Sequence, residues 1–173
     1  MASSALKQFI SDADWGALDY LIVDLPPGTS DIHLTLVQSV PVTGAIIVTT
    51  PQKVALADAS KGLAMFKQAN INVPVLGIVE NMAYFIPPDS PEHKYFIFGE
   101  DGGKRFAEKH EVPLLSQIPI EESVRSSGDD GYPVALKAGE TSTAFQTLAE
   151  NLAREIAIRN AQLPRTKKVE MKT

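Results

Sequence analysis

The sequence predicts an α/β protein in which a parallel β-sheet is flanked by helices. Short apolar runs alternate along the chain with segments that have helical spacing, and the apolar runs are nearly continuous. Continuous apolar runs are typical of parallel strands buried on both faces, and the alternation is typical of βαβ units. The chain has 173 residues, of which 44% are hydrophobic, and this is enough for one domain with a sizeable core.

The elements follow from this pattern in order. Four strands are expected, each a short apolar run: Leu21 to Asp24, Gly44 to Thr49, Val75 to Glu80 and Leu114 to Ile118. Four helices are expected between and after them: Ile32 to Ser39, Val54 to Asn70, Gly103 to His110 and Thr141 to roughly Asn160. Residues 1–160 are therefore expected to form the folded α/β part of the chain. Residues 161–173 form a polar tail, which we expect to be disordered.

Composition excludes several classes of protein. The chain has no cysteine, so it offers no disulfide and no thiolate ligand. Its net charge of −5 argues against a nucleic-acid surface. No apolar run approaches the roughly 20 residues of a membrane span, and the first residues do not resemble a signal peptide. The sequence therefore predicts a cytoplasmic protein without a membrane or nucleic-acid partner.

The most informative segment is DYLIVDLPPGTSD, residues 19–31, in which an apolar run ends on Asp24 and breaks into a Pro-Pro-Gly turn. Ligands of open α/β sheets bind at the carboxyl ends of the strands, so a carboxylate there could hold Mg²⁺ through water. A strand that simply ends on a turn-favouring aspartate would give the same pattern. The segment alone leaves both interpretations open.

Several motifs occur in a family-specific order: DLPPGTSD, VTTPQKVALADASKGLAMF, GIVENMAYF, IFGEDGGKRFA and IPIEESVRSSGDDGYPV. In this order the chain resembles the Mrp/NBP35 (ApbC-like) proteins, which are P-loop ATPases of the ParA/MinD type that carry iron-sulfur clusters. The resemblance implies the P-loop NTPase fold, binding of ATP and Mg²⁺, a homodimer and a role in iron-sulfur cluster assembly. Recipient apoproteins would be its partners.

The resemblance also implies roles for individual residues. Asp24 would hold Mg²⁺ from its second shell, and Asn81 would recognise adenine, because an amide both donates and accepts hydrogen bonds. Pro119 and Glu121 would form the other wall of the base pocket. The remaining candidates belong to the loop that would sense the γ-phosphate: Gly28, Thr29 and Asp31.

One departure from the family concerns the phosphate loop. Nothing in the chain matches G-x-x-x-x-G-K-[ST], and the nearest segment, GEDGGKRF at residues 99–106, is interpreted as the opening of a helix. In the family the phosphate loop lies upstream of the Asp24 motif. We therefore expect the chain to be the carboxyl-terminal part of a longer ATPase, with no catalytic residue of its own and no ATP hydrolysis in isolation.

A second departure concerns the cluster. Family members place Cys-x-x-Cys where this chain has FIPPDSPEHKYFIFG, a loop or small hairpin within residues 84–99. Asp89, Glu92 and His93 are poor substitutes for thiolates on iron-sulfur, so a cluster is not expected at this loop.

The sequence also bears on functions of other classes. Ser30, Asp31 and His33 are neighbours at a helix start and cannot form a catalytic triad. The main alternative is a ParA/MinD-like positioning or scaffold protein that dimerises with ATP, and another is an interaction module without nucleotide.

Overall fold

A computed structural model describes residues 2–26, 31–90 and 92–169 of the chain. The predicted fold class is confirmed, because a parallel sheet is flanked by helices. Its strands are β1, β2 and β3, at Ala45–Thr49, Val75–Glu80 and Leu114–Gln117. Its helices are α1 to α6, at Ala2–Ser11, Asp31–Ser39, Lys53–Lys67, Gly102–His110, Glu122–Asp129 and Glu140–Gln162. A short 3₁₀ helix covers Val134–Leu136.

The three strands are parallel and lie in the order β1-β2-β3. Thr49 pairs with Glu80, and Glu80 pairs with Gln117, so the carboxyl ends of all three strands meet at one edge. α3 connects β1 to β2, and α4 connects β2 to β3. The order of elements places the residues that follow each strand together at this edge.

Two apolar clusters cover the two faces of the sheet. On one face, side chains of β1 and β2 such as Ile47 and Ile78 pack with α2, α3 and α4, including Leu63 and Phe106. On the other face, Leu115 packs with residues of α6, among them Phe145, Leu148 and Leu152. Successive strand residues face opposite sides of a sheet, which is why neighbours such as Ile78 and Val79 belong to different clusters.

The expected strand from Leu21 to Asp24 is wrong. Residues 20–26 form neither helix nor strand, and Leu21 and Ile22 are 50% and 72% exposed. An apolar strand is buried only when neighbouring strands flank it, and within the described residues β1 pairs with β2 alone. Only Leu25, at the end of the run, packs against the core.

The other three strands and the four helices were predicted nearly as they are. α3 ends at Lys67, three residues before the predicted Asn70, and α6 continues past Asn160 to Gln162. Helices α1 and α5 were not predicted. The segment over residues 84–99, expected to be a loop or small hairpin, folds back on itself, since Phe85 and Tyr95 pair in an antiparallel bridge.

The division of the chain at residue 160 stays a prediction. Residues 163–169 contain neither helix nor strand. The Arg159 guanidinium nevertheless donates to the Pro164 carbonyl at 2.9 Å, and the Val169 amide donates to the Val37 carbonyl at 3.0 Å. Among the described helices, none is long and apolar enough to cross a bilayer.

Candidate functional site

The candidate site lies where β2 and β3 end, and backbone hydrogen bonds continue beyond both strands. The Ile118 amide donates to the Glu80 carbonyl at 2.8 Å, and the Ala83 amide donates to the Ile118 carbonyl at 2.9 Å. A third bond joins the Ile120 amide to the Tyr84 carbonyl at 2.7 Å. This ladder fixes the turn after β2 beside the segment after β3.

Asn81 lies at the start of the turn, directly after β2. Its amide N–H donates to the Thr49 carbonyl at 2.7 Å, and its side-chain Oδ1 accepts from the Met82 amide at 2.9 Å. Met82 has a φ of 54°, in the left-handed region that few residues other than glycine and asparagine adopt readily. The side chain of Asn81 therefore holds the turn, while its Nδ2 group forms no hydrogen bond to any described residue.

Pro119 and Glu121 lie across the ladder from Asn81. Pro119 is buried and Glu121 is exposed. The Glu121 carboxylate accepts a hydrogen bond from the Thr141 hydroxyl at the start of α6. The bond from Thr141, with a smaller contribution from the nearby Ser123, lowers the pKa of Glu121 below its ordinary value. Glu121 is therefore a fixed negative group at the edge of the site.

The structure thus brings three of the predicted site residues together at one edge of the sheet: Asn81, Pro119 and Glu121. The other candidates lie on a different segment. Asp24 and Asp31 are exposed, and no hydrogen bond within the described residues joins residues 20–26 to residues 80–84. Gly28 and Thr29 lie outside the described residues.

A buried carboxylate, which sequence reasoning missed, lies beneath the site. Glu80 is the last residue of β2 and is 0% exposed. Its Oε1 accepts from the Gly103 amide at 2.9 Å, and its Oε2 accepts from Gln117 Nε2 at 2.6 Å. Gln117 Nε2 also donates to Asp101 Oδ1 at 3.0 Å. The one signal in the sequence was a charged residue that completes an apolar strand.

This network shows why GEDGGKRF is not a phosphate loop. The segment opens α4 at Gly102, as predicted, and it follows the folded-back loop rather than a strand. The Gly103 amide already bonds to the Glu80 carboxylate at 2.9 Å. A Cβ on Gly103 would lie 2.8 Å from the Cβ of Glu80, so this glycine allows the helix to approach the strand.

The loop over residues 84–99 is pinned at its base and carries polar residues at its tip. Near the base, Glu140 Oε1 accepts from the Tyr84 hydroxyl at 2.8 Å and from Lys94 Nζ at 3.2 Å. At the tip, Ser90 Oγ lies 2.8 Å from Nδ1 of the exposed His93. Within the described residues, no three acidic, histidine or cysteine side chains are grouped so that they could hold a metal ion.

Comparison with solved structures defines the class of protein. A nucleotide-binding protein from Archaeoglobus fulgidus, solved in complex with ADP, superposes with a TM-score of 0.65 at 39% identity, covering 75% of this chain and 52% of that one. The cell division ATPase MinD of Pyrococcus furiosus superposes with a TM-score of 0.60 at 22% identity, covering 88% of this chain and 57% of that one, and shows the fold alone. The fold is that of the P-loop NTPases.

Sequence comparison defines the family. The ParA family profile described as NUBPL iron-transfer P-loop NTPase matches residues 1–156. Curated relatives named iron-sulfur cluster carrier protein are 51% identical in Synechocystis, over 91% of this chain, and 49% identical in Deinococcus radiodurans, over 95%. The chain belongs to this family of iron-transfer P-loop NTPases. It spans only 43% and 46% of the length of these two relatives.

Proposed function

We propose that this chain forms the base-binding part of a Mg-ATP-dependent iron-sulfur cluster carrier. The observation that supports this most is the ladder between residues 80–84 and 118–120, which fixes the turn that contains Asn81 beside the segment that contains Pro119 at the carboxyl edge of the sheet. This is the edge at which open α/β sheets bind ligands. The names of the curated relatives support the carrier role.

Asn81 has the groups that adenine recognition needs. Its Nδ2 can donate to N7 of the ring, and the second lone pair of Oδ1 can accept from the exocyclic amine. Because Oδ1 already accepts from the Met82 amide at 2.9 Å, the amide plane has a fixed direction before a ligand binds. Buried Pro119 supplies an apolar wall, and Glu121 supplies a carboxylate for the ribose hydroxyls.

In this proposal Asp24 acts on Mg²⁺ through a water molecule, and Gly28, Thr29 and Asp31 form the nucleotide-sensing loop. Bound Mg²⁺ neutralises negative charge on the phosphates. The protein would be a cytoplasmic homodimer, and recipient apoproteins would take the cluster. Cluster binding itself is not assigned to this chain, because the donors of the 84–99 loop are oxygens and one imidazole rather than thiolates.

The chain alone should hold the base without holding the phosphates. The chain contains no G-x-x-x-x-G-K-[ST] motif, and at the start of α4 the Gly103 amide already donates to the Glu80 carboxylate. Base contacts without a phosphate cradle predict a dissociation constant near ~1 mM, which corresponds to about −4 kcal/mol. ATP hydrolysis is not expected.

Ligand-observed NMR on the full chain tests this proposal. AMP and ATP should bind with similar, roughly millimolar affinity, and Asn81→Ala should abolish saturation transfer to the adenine protons. Asn70→Ala is the matched control, since Asn70 is exposed and precedes β2, whereas the site follows the carboxyl end of that strand. Micromolar affinity for ATP, phosphate release or undiminished binding by the Asn81 variant would contradict the proposal.

The role of Asp24 needs a phosphate loop, which a chimera can supply by joining the amino-terminal part of the Synechocystis relative to this chain. Asp24→Asn should lower Mg²⁺-dependent hydrolysis at least about tenfold, as loss of a group that orients a metal's ligands commonly does. Asp19→Asn, also exposed and on the same segment, should have no effect. If both variants hydrolyse ATP equally, Asp24 only ends the apolar run.

A further inference from the structure

Glu80 combines complete burial with hydrogen bonds to helix α4, to strand β3 and to the residue directly after β3. Its carboxylate accepts from Gly103 at the start of α4 and from Gln117 on β3, while its own carbonyl accepts from Ile118. It is also the residue immediately before Asn81. Its side chain therefore joins the strand that leads into Asn81 to the strand that leads into Pro119.

Stability alone gives no reason for a carboxylate at this position. Removing a carboxylate from water is costly, and well-packed apolar residues often replace buried ionic groups without loss of stability. Here the neighbouring face is apolar, with Ile78 and Phe106 in the same cluster. What an apolar residue cannot supply is direction, because the two oxygens accept from fixed donors at 2.9 and 2.6 Å.

The position of α4 depends on the same carboxylate. Gly103 has no Cβ, and this lets the helix lie against Glu80, where a Cβ would approach the Glu80 Cβ to 2.8 Å. Asp101, just before the helix, has a φ of 52° and accepts from Gln117 Nε2 at 3.0 Å. The residues on either side of the segment from Asn81 to Gly102 are thus joined by one buried hydrogen bond, from the Gly103 amide to the Glu80 carboxylate.

We infer that Glu80 is a positioning residue for base recognition: it orients Asn81 relative to Pro119 and thereby sets the preference for adenine over guanine. This inference rests on the proposed function, in which Asn81 contacts the base. Glu80 itself is fully buried and does not touch the ligand. Its effect is transmitted through the end of β2 and through Gln117.

The test compares AMP and GMP binding to the full chain by ligand-observed NMR titration. Glu80→Gln keeps the size of the side chain but replaces one of its two acceptor oxygens with an NH₂ donor. It can therefore no longer accept from both the Gly103 amide and Gln117 Nε2 through separate oxygens. We expect AMP affinity to fall about fivefold to tenfold, with GMP unchanged, so that discrimination is lost. Leu115→Ala is the control for instability, because Leu115 is 1% exposed and packs in the cluster on the opposite face. It should lower the melting temperature without changing the AMP to GMP ratio.

A reversed network provides the rescue. In Glu80→Gln combined with Gln117→Glu and Asp101→Asn, the new amides donate to the new carboxylate at 117, and the residue at 80 still accepts from Gly103. Discrimination should return. If Asn81→Ala abolishes AMP binding while Glu80→Gln leaves the ratio intact, the inference is overturned and the proposed function stands. If wild-type chain shows no preference for AMP, or Asn81→Ala binds normally, both fail.

Discussion

Gly102→Ala tests the packing that fixes α4 against the end of β1. A Cβ at residue 102 would lie 2.3 Å from the Pro51 carbonyl oxygen and 2.7 Å from its Cα, whereas ordinary contacts begin near 3.4 Å. These are backbone atoms of a buried residue, so no side-chain rotation relieves the overlap. Overpacking of this kind costs about 1–3 kcal/mol.

The matched control is Gly128→Ala in α5. A Cβ there would meet nothing within 4 Å, and alanine in a helix is favoured over glycine by about 0.8–1.0 kcal/mol. For a domain of this size each kcal/mol shifts the melting temperature by about 2–4 °C. Thermal unfolding followed by circular dichroism should therefore place Gly102→Ala below wild type and Gly128→Ala at or above it. Equal melting temperatures of the two variants would refute the argument that the α4 approach is tight.

Two further outcomes follow from groups around the 84–99 loop. Burial, followed by the hydrogen bond to Glu140 and the charge of Glu140, raises the pKa of Tyr84, while Lys94 opposes the shift. A raised tyrosine pKa gives stability that is present below the ordinary pKa and is lost as the pH rises through the raised value. In an absorbance titration, Tyr84 is identified as the tyrosine whose ionisation signal disappears in Tyr84→Phe, and this signal should appear at a higher pH than that of an ordinary tyrosine. Glu140→Gln should move it to lower pH, and an unshifted signal would rule out the contribution of Glu140. Anaerobic treatment of the chain with iron and sulfide should leave no stable chromophore, because thiolates are absent; a visible band with stoichiometric iron, lost in His93→Ala, would contradict this.

Local patterns predicted most of the scaffold. The apolar run Val75–Glu80 became β2 with the same bounds, and the helix predicted from Val54 to Asn70 is α3, with Leu63 and Phe66 on its buried side. These patterns depend on residues close together in the sequence, so they predict an element without knowledge of its distant contacts. Helix α5 has no comparable apolar stripe and is bridged instead by Arg125 to Glu122 and Asp129, which is a weaker signal in a sequence.

The parts that could not be predicted depend on partners distant in sequence. Residues 21–24 have the composition of a strand, but a strand forms only where a neighbouring strand pairs with it. The local sequence does not show whether such a neighbour is present. The bond between Glu80 and Gln117 spans 37 positions. For the site, the motifs named Asn81, Pro119 and Glu121, which lie at one edge of the sheet and whose roles stay a prediction, but the buried Glu80 carboxylate had no motif.

The outer edge of β1 has a practical consequence for work with this chain. Within the described residues its backbone groups face no other strand, Val48 is 58% exposed, and Leu21, Ile22 and Val23 are exposed as well. An unpaired strand edge beside apolar side chains is a template for adding another strand. We therefore expect the protein to self-associate in concentrated samples, so that light scattering per unit mass of protein rises with concentration. Val48→Lys should reduce this association.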